Sequence, residues 1–469
     1  MTSGSDPQRG GSAAMSDASR AGQEERMQAG EVPFDRQKID AILESTGFDR
    51  DTLSIRETNR LVSLVEQEMG VRFVRMEFGI PNLPCDPVAY EFAHRADTER
   101  NASAQYAPFD GIPELKEEAA RFVKGFMNLD VTPQCCVPTV GAMHGGFVAQ
   151  AVAGHRLPGR QTILYLEPSF PVSKRQTRFH GLAPDGVELY DCRGEKLLAE
   201  VERKMESGRI GGLLYSSPNN PSWVVLKPEE LRGLGELCQR YDVLPIEDLA
   251  YFGMDFREDY GRPGEPPFQP TIARYTDRYI ILISSSKMFS FAGARIGIAV
   301  IAPQLWKSEA AGLQDRFGTT NVGHAFVHGG LYCSTAGVPQ ASQWGLVGLL
   351  KSANEGRLDF VQTVREYGRR AHALREIFLR HGFELVYDND LGEPLADGFY
   401  FTIRYPGFHG RELLMEMICY GISTITLETT GSNRTEGLRV CVSFVGDDEL
   451  PLVDARLRKF RDDHPSSDT

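Results

Sequence analysis

Between residues 113 and 301, short apolar runs alternate with amphipathic stretches, and no other feature of the chain narrows its possible folds so far. "PELKEEAARFVKGFMN" has helical spacing and opens with proline, which suits a helix's first turn. "QTILYLEPSF" is an apolar run closed by Pro168. "GEKLLAEVERKMESG" is helical again, "GGLLYSSPNNP" a strand ending in a turn, and "KPEELRGLGELCQRYD" a helix. "VLPIEDLAYF", "YIILISSSK" and "ARIGIAVIA" complete the series of strands. Strands that take turns with helices predict an α/β fold, a mostly parallel sheet covered on both faces.

The flanks read differently. "KIDAILESTGF" and "IRETNRLVSLVEQEMG" are helical. "MEFGIPNLPCDP", with Pro81, Pro84, Pro87 and Gly79, reads as a linker or binding loop. Residues 342–380 read as one long, mostly helical stretch. The strands "FELVYD", "FYFTIRY" and "GLRVCVSF" follow it. The expected organisation is a disordered tail (1–35), an arm with part of a small domain (36–95), a large domain (96–345) and a smaller α+β domain (346–469).

A net charge of −13 argues against nucleic acid or an anionic membrane as the main partner. No apolar run is long enough to span a bilayer. The first thirty residues are small, polar and charged, without the apolar stretch of a secretory signal. The eight cysteines form no C-x-x-C pair and no zinc spacing, so free thiols in a reducing cytoplasm are expected. A strained vicinal disulfide at Cys135–Cys136 is disfavoured.

In an open parallel sheet, ligands bind at the carboxyl ends of the strands. Those ends carry Glu167-Pro168-Ser169-Phe170, then Ser216-Ser217-Pro218-Asn219-Asn220-Pro221, then Glu247-Asp248-Leu249-Ala250-Tyr251, then Ser284-Ser285-Ser286-Lys287. An aromatic ring, an amide, a carboxylate and an amine therefore converge on one edge. A lysine enclosed there is costly unless it is paired or neutral.

This set of residues resembles the class I/II aminotransferases of the fold-type I pyridoxal-phosphate enzymes, in the family's order and close to its spacing from about Gly79 to Ser443. The resemblance implies that Lys287 is the Schiff-base lysine and that Asp248 pairs with the pyridinium nitrogen of pyridoxal 5′-phosphate. It implies that Tyr251 and Asn220 bond the cofactor's phenolate oxygen and that Phe170 stacks on its ring. Ser284, Ser286, Arg295 and the backbone at Ala142 and Met143, in "TVGAMHGGF", would hold the phosphate. Tyr106 would reach the phosphate of a neighbouring subunit, which makes the expected active unit a homodimer with shared sites. Arg439 would hold the substrate's α-carboxylate, with Gly79, Ile80 and Asn220 beside it. The implied reaction is ping-pong transfer of an amino group between an L-amino acid and a 2-oxo acid.

The family's Asn-Pro-Thr-Gly motif reads Asn220-Pro221-Ser222-Trp223 here, and the tryptophan in place of glycine puts the loop's shape and the pocket's outer wall in question. His324 and His328 have the spacing of two metal ligands on a helix, but no third ligand is evident, so no metal is expected. His144 has no assigned role. The same residues would also serve a β- or γ-lyase, a decarboxylase, an aminocyclopropane-carboxylate-type synthase or, less readily, a non-catalytic sensor. A nicotinamide dehydrogenase is excluded for want of its Gly-x-Gly-x-x-Gly turn.

Overall fold

The computed structural model describes residues 31–465. The expected tail lies outside the described residues as far as residue 30. Seven strands form the main sheet: β1 (Cys136–Thr139), β2 (Thr162–Glu167), β3 (Ala183–Glu188), β4 (Ile210–Ser216), β5 (Leu244–Leu249), β6 (Ile280–Ser284) and β7 (Gly297–Ile301). Their order is β1-β7-β6-β5-β4-β2-β3. Every pairing is parallel except those of β7, which runs antiparallel to both β1 and β6. The carboxyl ends of β1, β2, β4, β5 and β6 therefore share one edge.

The central strands are apolar because both faces are covered. All five residues of β6, Ile-Ile-Leu-Ile-Ser, are buried. The helix Pro113–Met127 covers one side with Leu115, Ala119, Phe122, Val123 and Phe126, a stripe at helical spacing, and it stops at Asn128 in the left-handed conformation. The edge strand β3, "APDGVE", carries three poor strand formers and was not recognised from sequence; an edge tolerates them because only one side needs ladder bonds.

A second core joins residues 34–76 to residues 364–460. It covers an antiparallel four-stranded sheet ordered Ile425–Thr426, Leu438–Cys441, Tyr400–Arg404, Glu384–Leu385. The helix Ile55–Met69 belongs to this core and starts at a capping box made by Ser54 and Glu57. The single helix expected over 342–380 is two helices, Gln340–Asn354 and Phe360–Arg380. Gly356 turns the chain at φ 68°, and Asp359 caps the new helix by accepting a hydrogen bond from the Gln362 amide at 2.8 Å. The divisions expected after residues 95 and 345 both fall inside helices, Val88–Arg100 and Gln340–Asn354.

A charged cluster ties a hairpin of the second unit to the main sheet's loops. Asp390, fully buried, pairs with Arg193 at 2.6 Å, Arg257 at 2.8 Å and Lys227 at 3.3 Å. Arg193 also pairs with Glu230, and Arg257 with Asp255. Burial alone would raise the Asp390 carboxyl, but the bonds from Arg193 and Arg257 outweigh it and hold it below the usual range. Asp390→Ala should lower stability by about 2–3 kcal/mol in chemical denaturation, because it removes the carboxylate that Arg193, Arg257 and Lys227 share and leaves the guanidinium N–H groups bonded to it without a partner. Among the described residues no helix is long and apolar enough to cross a membrane.

Candidate active site

The shared strand edge faces the second unit across a cavity of about 270 Å³. Lys287 enters it from a one-turn helix, Ser285–Met288, that follows β6 directly. The Ser284 hydroxyl caps that turn by accepting from the Ser286 amide at 3.2 Å. The lysine side chain lines the cavity and is half-buried. Enclosure pulls its pKa below the usual lysine range; Asp248 and Cys441 oppose this, and Arg295 and Arg439 reinforce it. The amine is thereby moved toward its neutral, nucleophilic form.

Asp248 comes from β5, the strand beside β6. Burial pushes its carboxyl up to about 6, against the pull of Lys287 and the Ala250 amide. Its Oδ1 is buried with no hydrogen-bond partner. A carboxylate oxygen in that state calls for a cationic or N–H donor within the cavity. Glu247, its neighbour, points to the other face and takes hydrogen bonds from Tyr215 and Thr271.

A cradle for a dianion lies at the same end. The helix Gly141–His155 begins there, with Ala142 and Met143 in its first turn lining the cavity. Arg295, itself left-handed at φ 51°, lies against that turn. A Cβ on Gly141 would stand 2.8 Å from its Nη2, so only glycine (φ 71°) admits the guanidinium. Ser284 and Ser286 line the same space. His144 steadies the loop before the helix: its Nδ1 accepts from the Val140 amide at 3.3 Å, so Nε2 carries the proton toward Ser334 Oγ at 2.7 Å.

On the opposite wall Arg439 is held by three contacts. Its Nη2 donates to the Glu77 carbonyl at 2.9 Å and its Nη1 to Asn220 Oδ1 at 3.2 Å, while its guanidinium lies 4.3 Å above the Tyr400 ring. Phe170 and Gly79 line the cavity. Ile80 does not; its side chain is 44% exposed and turned outward, and Phe78 takes the inward place. Tyr106 is 94% exposed and stands outside this chain's own cavity, in a groove between Ala102–Ala107 and residues 335–341.

Trp223 is not part of an outer wall. It adopts φ 59°, the conformation a glycine would take there, and is almost fully buried. Its ring packs edge-on against Tyr251 at 5.1 Å and Tyr400 at 5.9 Å, in space left by Gly398. The rings of His324 and His328 stack 4.0 Å apart, and among the described residues no group of three possible metal ligands occurs.

Sequence reasoning missed Tyr400, Phe78, Ile55 and Gln176, all of which line the cavity. Tyr400 sits in an ordinary strand pattern. Only the pairing of Tyr400 with Cys441 and of Thr402 with Arg439 places it diagonally beside the arginine on one face of the sheet.

The family model for aminotransferase class I and II matches residues 79–383. This chain belongs to the class I and II aminotransferase family. The aspartate/prephenate aminotransferase of Thermus thermophilus is 27% identical over 322 residues, 68% of this chain and 75% of that protein. The aspartate aminotransferase of Bacillus subtilis is 26% identical over 204 residues, 44% of this chain and 50% of that protein. Among solved structures, a single mutant of Thermus thermophilus aspartate aminotransferase superposes with a TM-score of 0.70 at 21% identity, covering 86% of this chain and 95% of that one. The Thermotoga maritima aspartate aminotransferase does so with a TM-score of 0.69 at 18% identity, covering 87% and 97%. These likenesses show the fold, that of fold-type I. The activity of this aminotransferase is pyridoxal-phosphate-dependent transamination, and neither a lyase nor a decarboxylase reading is favoured.

Proposed function

We propose that this enzyme moves an amino group from an L-amino acid to a 2-oxo acid with Lys287 as its covalent and proton-transferring residue. The observation that carries the assignment is the buried, unpartnered Asp248 Oδ1 sharing one cavity with the enclosed Lys287 amine. The residues present fit pyridoxal 5′-phosphate. Asp248 would meet its ring nitrogen, Asn220 and Tyr251 its phenolate, and Phe170 its ring face. Ser284, Ser286, Arg295 and the Ala142–Met143 turn would hold its phosphate. When bound, the cofactor supplies an aldehyde for amines and a ring that accepts the electron pair left at the α-carbon.

The protein's own part is to bind, orient and move a proton. Arg439, with Gly79 beside it, would hold the α-carboxylate and so fix which bond at the α-carbon faces the ring. The Lys287 Nζ, kept toward neutrality by enclosure, takes the α-proton and hands it on. Tyr106, so exposed here, would complete the phosphate cradle of a second copy in a homodimer. The eight cysteines are all unpaired, which supports a reducing cytoplasm.

Arg439→Lys should raise KM for the amino acid about 10- to 100-fold and change kcat less, since a lysine keeps the charge but loses the two-pronged bond to a carboxylate. Steady-state kinetics at saturating oxo acid would show it.

The half-reaction tests the function. Single amino acids are added to purified holoenzyme and the conversion of its visible absorption band to that of the aminated cofactor is recorded. The names of the Thermus and Bacillus relatives put aspartate first in the series. Conversion with release of the matching 2-oxo acid is expected. Release of ammonia or carbon dioxide without the aminated cofactor would overturn the reading.

A further inference from the structure

Tyr400 joins three parts of the cavity that are distant in sequence. Its ring face supports the Arg439 guanidinium, 4.3 Å from the centroid. Its hydroxyl is 3.1 Å from the Tyr251 hydroxyl. The same hydroxyl stands 1.9 Å from where a Cβ on Gly79 would be, so the loop can close over the cavity only with glycine at that point. Trp223 packs against both tyrosines and holds their rings in register. The two rings meet edge-on with centroids 5.7 Å apart.

We propose that Tyr400 is a positioning residue: its ring seats Arg439 for the substrate carboxylate, and its hydroxyl strengthens the hydrogen bond that Tyr251 donates into the cavity. The inference rests on the aminotransferase reading above and assigns a role to a residue outside the motifs.

The chemistry follows from counting protons. A phenol has one proton to donate and two lone pairs to accept with. As the structure stands, Tyr251 donates its proton to Tyr400. Once the cavity holds an anionic oxygen, Tyr251 turns its proton to that oxygen, and Tyr400 can turn its own proton to the Tyr251 oxygen. The rotation breaks one hydrogen bond and makes two, with no proton leaving either phenol. Both phenols stay protonated at neutral pH: burial pushes Tyr400 up to about 12, and burial also raises Tyr251 well above its usual value. A phenol that accepts a hydrogen bond is a stronger donor, because the chain of bonds polarises. Tyr400 thus favours negative charge on whatever Tyr251 touches.

Tyr400→Phe keeps the ring under Arg439 and removes only the relay. Spectral titration of the holoenzyme's visible band should show its pH midpoint moving up by about half a unit or more, because a less stabilised phenolate holds the neighbouring proton more tightly. KM for the amino acid should change less than about threefold. Tyr400→Leu also removes the ring face and should raise KM about tenfold. In a Tyr251→Phe background, Tyr400→Phe should shift the midpoint no further, since the relay has lost its target. Replacing Tyr400 with 3-fluorotyrosine, a stronger donor of nearly the same shape, should move the midpoint down, and it keeps the test sound if the phenylalanine variant folds poorly. An unmoved midpoint in Tyr400→Phe or the fluorinated protein, or additive shifts in the double variant, would overturn the proposal while leaving transamination intact. A wild-type protein with no titrating band and no amino transfer would instead sink the functional reading.

Discussion

Lys287→Ala should abolish amino transfer while the protein keeps its fold. Lys287 is the only amine lining the cavity among the described residues, so nothing nearby can replace it as nucleophile or proton carrier. The expected loss is at least about a thousand-fold, roughly 4 kcal/mol of barrier. Borohydride treatment should fix the cofactor to the peptide containing Lys287 in the wild type and leave the variant unlabelled. The fold should survive because the ammonium is disfavoured where it sits, and alanine removes that cost. The Ser284 cap on the turn does not use the lysine side chain. A melting temperature equal to or above that of the wild-type apoprotein is therefore expected. A variant that keeps a tenth of the activity would refute the assignment.

Asp248→Asn should cost about a hundred- to a thousand-fold in kcat and should also flatten a pH dependence. The Asp248 carboxyl rises to about 6 in the folded apoprotein from the ordinary 3.8. Its contribution to apoprotein stability is therefore complete below about pH 4 and is lost as the pH rises through 6. A cation held against Oδ1 reverses the preference and favours the ionised form. The rise in melting temperature on adding pyridoxal 5′-phosphate should accordingly be larger at pH 8 than at pH 5, by the equivalent of about 1.4 kcal/mol, because pH 5 lies one unit below the carboxyl's midpoint. Asparagine does not ionise, so its increment should be nearly the same at both values. Thermal shift with and without cofactor at the two pH values measures this. A wild-type increment that does not change with pH would show that Asp248 does not meet a cation.

Legibility varied with the kind of signal. The lysine after β6 and the carboxylate at the end of β5 stood out because their chemistry is costly at the end of a buried strand. The Ala142–Met143 turn and Arg295 were linked only through the family resemblance, since a Gly-rich turn and a distant arginine are not tied to one anion by any local pattern. The break at Gly356 was present in the sequence, with a left-handed glycine followed by an Asp cap, but helical spacing on both sides masked it. Phe78 was missed, and the outward turn of the Ile80 side chain was not legible, because an irregular loop has no periodicity to say which side chain turns inward. Trp223 marked a departure from the family motif, but its burial behind two tyrosines depends on Gly398, far along the chain.

By itself the sequence determined the strand–helix alternation, the edge where ligands gather and the residue types that collect there. Those follow from local periodicity and from the cost of enclosing charge. Only the tertiary structure decided that Asp248, and not Glu247, keeps an unpaired oxygen in the cavity, that Arg439 rests on Tyr400, and that Asp390 ties the two units together. Each of these depends on register or on contact between residues more than a hundred positions apart. No local pattern encodes such pairings, because the free energy that selects them comes from burial and hydrogen bonding completed across the whole fold.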